Sequence, residues 1–314
     1  MKGELIGEIK NNQALTIGLV GCGRWGRYIL RDLKETGAVV HVVATTEDSR
    51  SNAIEYKADK IFSALNGLSQ QLDGYIIATQ TIHHYDCIKH LLGSKRPIFV
   101  EKPLSADIDK VNEIAKIASG QVFVMHKWLY HPAIKKIKEI VENKSLGKVL
   151  NIFCRRNAWG TPQKDVNSVW IHYPHDLSII YHLLGYIPKP KYAKLIRDQH
   201  GNIQGLFSHL EDKNINCHIE HHLHSGIKER NVTIIFENGT LQLANPMSDH
   251  IIMRRGHPDE NLPIEKIPIS KEMPLKLEIL AFLGFLNGTS NKLDSTINVE
   301  VKIAQVINQL IKIG

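Results

Sequence analysis

The sequence contains no apolar stretch long enough to cross a bilayer, and residues 1–13 lack the apolar core of a signal peptide. Lysine and arginine outnumber aspartate and glutamate and give a net charge of +7, but they form no block in the sequence. This distribution argues against nucleic-acid binding and is compatible with an acidic or phosphorylated substrate. The four cysteines are too widely spaced for a zinc site or a disulfide framework: Cys22, Cys87, Cys154 and Cys217. These absences predict a soluble cytoplasmic protein that contacts neither membrane nor nucleic acid.

The length of 314 residues favours two domains, because single hydrophobic cores stop growing at about 250–300 residues. Short apolar runs alternate with amphipathic helical patterns through the first part of the chain. The runs that read as strands are 15–20, 39–44, 60–62, 73–79, 98–100 and 122–125. This alternation predicts an α/β fold over residues 1–126, namely a Rossmann domain with a doubly wound parallel sheet.

A glycine motif lies between the first strand and the first helix. It reads Gly21-Cys22-Gly23-Arg24-Trp25-Gly26, and the helical pattern after it places Trp25, Ile29, Leu30 and Leu33 on one face. Gly21 permits the tight turn, Gly23 lets the backbone approach a pyrophosphate, and Gly26 lets helix and strand pack closely. The positive end of the helix dipole favours phosphate. The motif predicts a dinucleotide site that includes Arg24 and Trp25.

The end of the second strand bears on the choice between NAD and NADP. An acidic residue normally binds the ribose 2′-hydroxyl of NAD at this position. Here the chain continues Thr45-Thr46-Glu47-Asp48-Ser49-Arg50, with hydroxyl residues first and an arginine beyond them. Thr45 and Arg50 are compatible with a 2′-phosphate, which slightly favours NADP. In the alternative, Glu47 or Asp48 reaches back to the ribose of NAD.

A lysine follows the strand at 98–100, in the order Glu101-Lys102-Pro103. Pro103 disfavours a helical conformation at Lys102 and has no backbone N–H. The carboxyl edge of an open α/β sheet is where such folds bind their ligands. We therefore expect Lys102 to face a bound ligand. The alternative is a salt bridge to Glu101 at the strand end.

Together these motifs resemble the Gfo/Idh/MocA oxidoreductase family, which includes glucose–fructose oxidoreductase and inositol dehydrogenase. The family segment A-T-P-N-x-x-H is matched at Ala78, Thr79 and His84, whereas Gln80 and Thr81 replace the proline and asparagine. The resemblance implies cofactor contacts from Thr79, His84 and Glu101, and a catalytic Lys102 that also binds substrate.

The pattern changes after residue 126, and the second half predicts an α+β domain over 127–314. Helical patterns begin at His131-Pro132 and cover 274–286 and 299–313. The runs that read as strands are 147–152, 192–196, 205–209, 215–224, 231–236 and 240–243, with a hairpin turn at Asn238-Gly239. These strands predict a large, mostly antiparallel open sheet. The resemblance implies that one face of it forms a homodimer or homotetramer interface.

The second candidate centre is the segment 170–177. If a helix begins near His172, then His172, His175 and Asp176 share one face and are candidates for binding substrate. The family pattern D-x-x-x-H places its histidine at His175, but Ile171 stands where the family has aspartate. This departure suggests a changed proton relay, a different substrate, or replacement of the lost carboxylate by Asp176. In the alternative, Asp176 satisfies the N-terminal donors of the helix.

A second group of histidines, His218, His221, His222 and His224, could suggest a metal site. His218, His222 and His224 would share one face of a single strand. No carboxylate or cysteine stands at a ligand-like spacing, so we interpret them as a polar face rather than a metal site.

The family resemblance implies an NAD(P)-dependent oxidoreductase acting on a sugar, cyclitol or sugar nucleotide. We expect His175 to act as the acid/base and Lys102 to donate a hydrogen bond to the reacting oxygen, with both over one nicotinamide ring. Lys102 relaying the proton itself is an open alternative. Two other functions also remain open: a non-catalytic dinucleotide-binding sensor, and an enzyme that uses its nicotinamide only transiently in glycoside cleavage.

Overall fold

A computed structural model describes residues 14–118, 120–160, 165–256 and 263–314. The strands, in chain order, are β1 Thr16–Val20, β2 Val39–Val43, β3 Lys60–Phe62, β4 Gly74–Ile77, β5 Ile98–Glu101, β6 Val122–Met125, β7 Val149–Trp159, β8 Lys189–Arg197, β9 Ile203–Asp212, β10 Ile215–His222, β11 His224–Phe236, β12 Gly239–Leu243, β13 His250–Arg255 and β14 Glu265–Pro268. The α-helices are α1 Gly26–Glu35, α2 Glu47–Glu55, α3 Thr81–Leu91, α4 Ile108–Ile117, α5 Pro132–Asn143, α6 Ser168–Leu184, α7 Pro274–Leu286 and α8 Ile297–Ile313.

The chain divides into two compact units. The first unit comprises Met1–Met125 and Leu275–Glu300, and the second comprises His126–Pro274 and Val301–Gly314. The first unit is therefore built from two segments that are far apart in the sequence. Within the described residues, no helix is both long and apolar enough to cross a membrane.

The first unit contains a six-stranded parallel sheet in the order β3-β2-β1-β4-β5-β6. This confirms the predicted doubly wound sheet, and the order reverses between β1 and β4. Strands such as β4 and β6 are buried at every position, as is usual in parallel sheets that are covered on both faces, and the core that they form is apolar. The late helix α7 contributes to it, since the Phe282 ring stacks on Phe99 with 4.9 Å between centroids.

Helix α1 differs from its prediction at one position. Ile29, Leu30 and Leu33 are fully buried, as the periodicity indicated. Trp25 is not part of this buried face, because it is the N-cap residue and is 43% exposed. Its predicted place in the apolar stripe was therefore wrong.

The second unit contains an eight-stranded sheet in the order β14-β13-β12-β11-β7-β10-β9-β8. All neighbouring pairs are antiparallel except β7 and β10, which are parallel, so the predicted mostly antiparallel sheet is confirmed. The sequence did not predict β13 or β14. Helix α6 packs on one face, where the Tyr173 hydroxyl lies within hydrogen-bond distance of the Leu206 and Ile219 carbonyl oxygens, at 2.9 and 3.1 Å.

Two predicted details of this sheet need correction. The run 215–224 is broken, because β10 ends at His222 and β11 begins at His224. His224 therefore does not share a strand with His218 and His222. The hairpin turn is also shifted by one residue, since Phe236 pairs with Gly239 and the turn is Glu237-Asn238.

Helix α6 begins at Ser168, one turn earlier than predicted. The Asn167 side-chain oxygen accepts hydrogen bonds from the backbone N–H groups of Val169 and Trp170 at 3.1 and 3.4 Å. Asparagine is a preferred N-cap residue for this reason. Asp176 consequently lies in the third turn, and the alternative in which it satisfies the N-terminal donors is wrong.

Candidate active site

The glycine motif forms a tight turn with one open side. Gly21 has φ +94°, a conformation that favours glycine. A Cβ atom at Gly26 would collide with the Gly21 carbonyl, whereas a Cβ atom at Gly23 would meet nothing within 4 Å. Helix α1 starts here with no acidic residue in its first turn. The open backbone and the positive helix end fit a pyrophosphate group.

The segment after β2 is ordered by its own hydrogen bonds. The Thr46 hydroxyl accepts from the Ser49 N–H at 3.2 Å, and the Thr46 N–H donates to the Ser49 hydroxyl at 3.1 Å, so the two residues cap α2. Thr45 and Arg50 are exposed on either side of this cap. The Asn52 amide donates to the Cys22 carbonyl at 2.9 Å and ties α2 to the glycine turn, a contact that the sequence did not reveal.

His84 joins the loops that follow β4 and β5. Its Nδ1 lies 2.9 Å from the Pro103 carbonyl oxygen, and its Nε2 lies 3.1 Å from the Thr79 carbonyl oxygen. The ring is 1% exposed. His84 therefore links the loop after β4 to the loop that carries Lys102.

The backbone around Lys102 is fixed on both sides. A Glu101 carboxylate oxygen accepts from the Lys102 N–H at 3.1 Å. The Glu300 carboxylate, at the start of α8, accepts from the Leu104 N–H at 3.0 Å. Lys102 itself is half-buried at the carboxyl end of β5, next in the sheet to β4. Glu300 was missed because it is 196 residues from Leu104 in the sequence.

The second unit carries the other predicted residues on α6. Asp176 is 1% exposed, and its two carboxylate oxygens pair with Arg156 Nη2 at 2.7 Å and Arg156 Nε at 3.1 Å. The Arg156 guanidinium also lies over the Trp128 ring, 4.9 Å from its centroid. His172 and His175 are half-buried one turn apart. Arg156 was missed, although a cation among the buried residues of a strand is itself a signal that a buried carboxylate must pair with it.

His221 lies beside His172, with 4.2 Å between ring centroids. Its Nδ1 is 2.9 Å from the Arg156 carbonyl oxygen, which can only accept, so Nδ1 carries the proton. Nε2 therefore carries no proton and can accept a hydrogen bond, and no described residue donates one to it. Burial lowers the pKa of His221 to about 4. The ring is thus neutral at physiological pH and offers one buried acceptor.

The lowered pKa of His221 predicts a loss of stability in acid. Between its ordinary value of 6.5 and about 4, the unfolded chain binds the proton more readily than the folded chain does. Stability should therefore fall by about 2 kcal/mol from pH 7.5 to pH 5 because of this residue. Urea unfolding at both pH values measures the change, and His221→Phe should remove that part of it. An equal pH dependence in both proteins would contradict the prediction.

The comparison with known families agrees with this geometry. Residues 15–126 match the model of the Gfo/Idh/MocA oxidoreductase family, described as an NAD-binding Rossmann fold. Over residues 15–126 the chain is therefore similar to the Gfo/Idh/MocA family. The cofactor of such a Rossmann unit is NAD or NADP, and the turn at Gly21, Gly23 and Gly26 fits either one. No group of three or more metal-ligating side chains occurs among the residues that the structure describes.

Individual relatives are more distant. Myo-inositol 2-dehydrogenase of Thermotoga maritima is 28% identical over 151 residues, which are 45% of this chain and 45% of the relative. This chain spans about half the length of the curated relatives it matches.

Two solved structures share the fold. UDP-N-acetylglucosamine 3-dehydrogenase of Acidithiobacillus ferrooxidans has TM-score 0.81 and 16% identity, covering 95% of this chain and 97% of that one. A 3-ketoreductase of Actinomadura kijaniata, solved with TDP-benzene and NADP, has TM-score 0.82 and 12% identity, covering 96% and 98%.

Proposed function

We propose that this protein is an NAD(P)-dependent oxidoreductase that acts on a hydroxyl or keto carbon of a sugar, cyclitol or sugar nucleotide. The observation that carries the proposal is the position of Lys102. Its backbone is held by Glu101 on one side and, through Leu104, by Glu300 on the other, at the edge of the sheet that bears the glycine turn. Open α/β sheets bind their ligands at this edge, which supports a role for Lys102 in binding a ligand. The names of the relatives support the substrate class.

The bound nicotinamide supplies the hydride chemistry, and the protein supplies orientation and proton management. In the oxidation direction, His175 accepts the proton of the substrate hydroxyl. Lys102 donates a hydrogen bond to the oxygen on which negative charge develops. In the reduction direction, the proton moves from His175 to that oxygen. His172 contributes to substrate binding, whereas Asp176 keeps Arg156 and α6 in place.

A screen of sugars, cyclitols and sugar nucleotides with NAD and with NADP tests the function. Nicotinamide absorbance should change with at least one substrate. Net accumulation of the oxidised or reduced cofactor separates a dehydrogenase from a reaction that returns the nicotinamide to its starting state. No turnover with any substrate, together with cofactor-dependent binding of a protein, would contradict the proposal and favour a sensor.

Arg50 should determine the preference for NADP. Its side chain is exposed one turn into α2. If it binds the 2′-phosphate, Arg50→Ala should weaken NADP binding about 10-fold or more, because a charge-assisted hydrogen bond is lost. NAD binding should change little. Calorimetry with both cofactors measures this, with the exposed Arg96→Ala as the control. A protein that prefers NAD and is insensitive to Arg50→Ala would instead assign the ribose to Glu47 or Asp48.

We also propose that the chain forms a homodimer or homotetramer through the outer face of the eight-stranded sheet. Tyr192 on β8 is 56% exposed and Phe207 on β9 is 39% exposed. Exposed aromatic side chains that cluster on one face are typical of protein interfaces. Light scattering after gel filtration measures the mass in solution, and a monomer would contradict this proposal.

A further inference from the structure

A row of three basic side chains crosses the α6-covered face of the eight-stranded sheet. In the pairing register, His221 of β10 lies opposite Arg156 of β7, and Arg156 lies opposite Arg230 of β11. Residues that are directly opposite in paired strands point to the same face. Neighbouring strands are about 5 Å apart, so the row spans about 10 Å from His221 to Arg230.

The two arginines of the row differ in their partners. Arg156 is neutralised by the buried carboxylate of Asp176. Arg230 is half-buried, and among the described residues no carboxylate pairs with it and no acceptor binds it. The pKa of Arg230 is lowered, first by burial and then by the charge of Arg156, and the charge of Asp176 offsets part of this shift. A partly desolvated cation that forms no ion pair of its own is unfavourable unless an anion joins it.

The other end of the row offers a complementary group. His221 is 99% buried, being 1% exposed, and its Nε2 lone pair has no donor among the described residues. A buried acceptor without a donor is costly, so it indicates a missing hydrogen-bond partner. A hydroxyl group would satisfy it. The row therefore has a half-buried cation at one end and a buried, unsatisfied acceptor at the other.

The strand that carries Arg230 is irregular just before it. The register of β11 against β7 shifts between His224, opposite Trp159, and Glu229, opposite Asn157. Four residues of β11 thus oppose a single residue of β7. Bulges of this kind re-aim side chains and occur next to active sites. Arg230 is the second residue after the shift.

We propose that Arg230 binds an anionic group of the substrate, a carboxylate or a phosphate, while His221 Nε2 accepts a hydrogen bond from one of its hydroxyl groups. That this ligand is the substrate rests on the proposed function. The inference narrows that function, because a neutral sugar or a cyclitol would leave Arg230 without a counter-ion. The planar guanidinium suits both kinds of anion, since it offers two parallel donors to two oxygens.

Calorimetry with matched sugars tests the anion site without requiring turnover. Glucose 6-phosphate, glucuronate and UDP-glucose are compared with glucose and myo-inositol on the full-length protein loaded with NAD or NADP. At least one anionic probe should bind 10-fold or more tightly than glucose. Glucuronate against glucose 6-phosphate distinguishes carboxylate from phosphate. Failure of every anionic probe to bind, or equal binding of glucose, overturns the inference.

Variants locate the effect. Arg230→Gln should weaken the anionic probe about 10- to 100-fold and leave glucose unchanged, as expected for hydrogen bonds to a charged group. Arg230→Lys should retain part of the affinity. The control is Arg155→Gln, because Arg155 lies on the opposite face of β7 and pairs with Glu220 at 3.2 Å. Unchanged anion binding in a folded Arg230→Gln protein would overturn the inference.

The hydroxyl end has a different signature. His221→Phe should weaken charged and neutral sugars by the same factor, about 5- to 10-fold, because a hydroxyl contact does not depend on the anion. An effect confined to anionic probes would overturn the proposed role of His221.

Turnover is measured separately from binding. Anion-dependent binding without any turnover would contradict the oxidoreductase proposal alone. Turnover of a neutral sugar that is insensitive to Arg230→Gln would overturn the anion site alone.

Discussion

Replacing Lys102 with alanine should lower kcat/KM at least about 1,000-fold, because the reacting oxygen loses the cation that stabilises its developing charge. Cofactor affinity should stay within about threefold, since the glycine turn and the start of α1 are untouched. Steady-state kinetics and calorimetric titration with the cofactor measure the two quantities. The exposed Lys116→Ala, on α4, is the matched control and should behave as the unmodified protein does.

His175→Ala should give a comparable loss with a different dependence on pH. If His175 moves the proton, the acidic limb of the kcat/KM profile should disappear in this variant. If Lys102 relays the proton instead, the limb should survive His175→Ala. Near-normal turnover in Lys102→Ala would refute the proposed chemistry, and retained turnover in His175→Ala would remove this histidine from it.

Replacing Asp176 with asparagine should cost about 3–5 kcal/mol of stability, because it leaves the Arg156 guanidinium buried without a counter-charge. Both side chains are at least 95% buried, given exposures of 5% and 1%. Urea unfolding followed by tryptophan fluorescence measures the loss. Trp128, Trp159 and Trp170 are three of the four tryptophans and all belong to the second unit, so the signal reports mainly on that unit.

The control for this prediction is Asp249→Asn. Asp249 is exposed and pairs with His250 at 2.7 Å on the surface, so its loss should leave the urea midpoint close to that of the unmodified protein. A second comparison is the pair Arg156→Met with Asp176→Leu, which removes both charges and should be less destabilising than Asp176→Asn alone. A fully stable Asp176→Asn protein with impaired substrate binding would contradict this prediction and would indicate that Asp176 binds substrate.

The parts of the fold that depend on local pattern could be predicted from the sequence. The strands of the first sheet are short apolar runs, and the glycine turn follows β1 with a fixed spacing. The start of α6 was predicted too late, because the N-cap at Asn167 lies before the apolar pattern that suggested the helix. Strands β13 and β14 were missed since only Ile251 and Met253 in them are buried, which gives a weak alternation.

The interactions that hold the candidate site could not be predicted, because they join residues that are distant in the sequence. Arg156 finds Asp176 through the packing of α6 on β7, and Leu104 finds Glu300 across 196 positions. No periodicity encodes such pairs. The assignment of the site residues stays a prediction, and the sequence did not reveal that Asp176 has a buried partner in Arg156. It also gave no reason to single out Arg230, whose significance depends on the register of three strands.

The return of the chain into the first unit has a consequence for its biosynthesis. Phe282 stacks on Phe99, and the Phe285 ring contacts Phe123 edge-on with 5.0 Å between centroids, so α7 completes the hydrophobic core of that unit. A ribosome translates the six parallel strands long before it reaches α7. The nascent Rossmann sheet therefore keeps an apolar face uncovered until α7, Pro274–Leu286, has been synthesised, and chaperones that bind such faces would act during this interval.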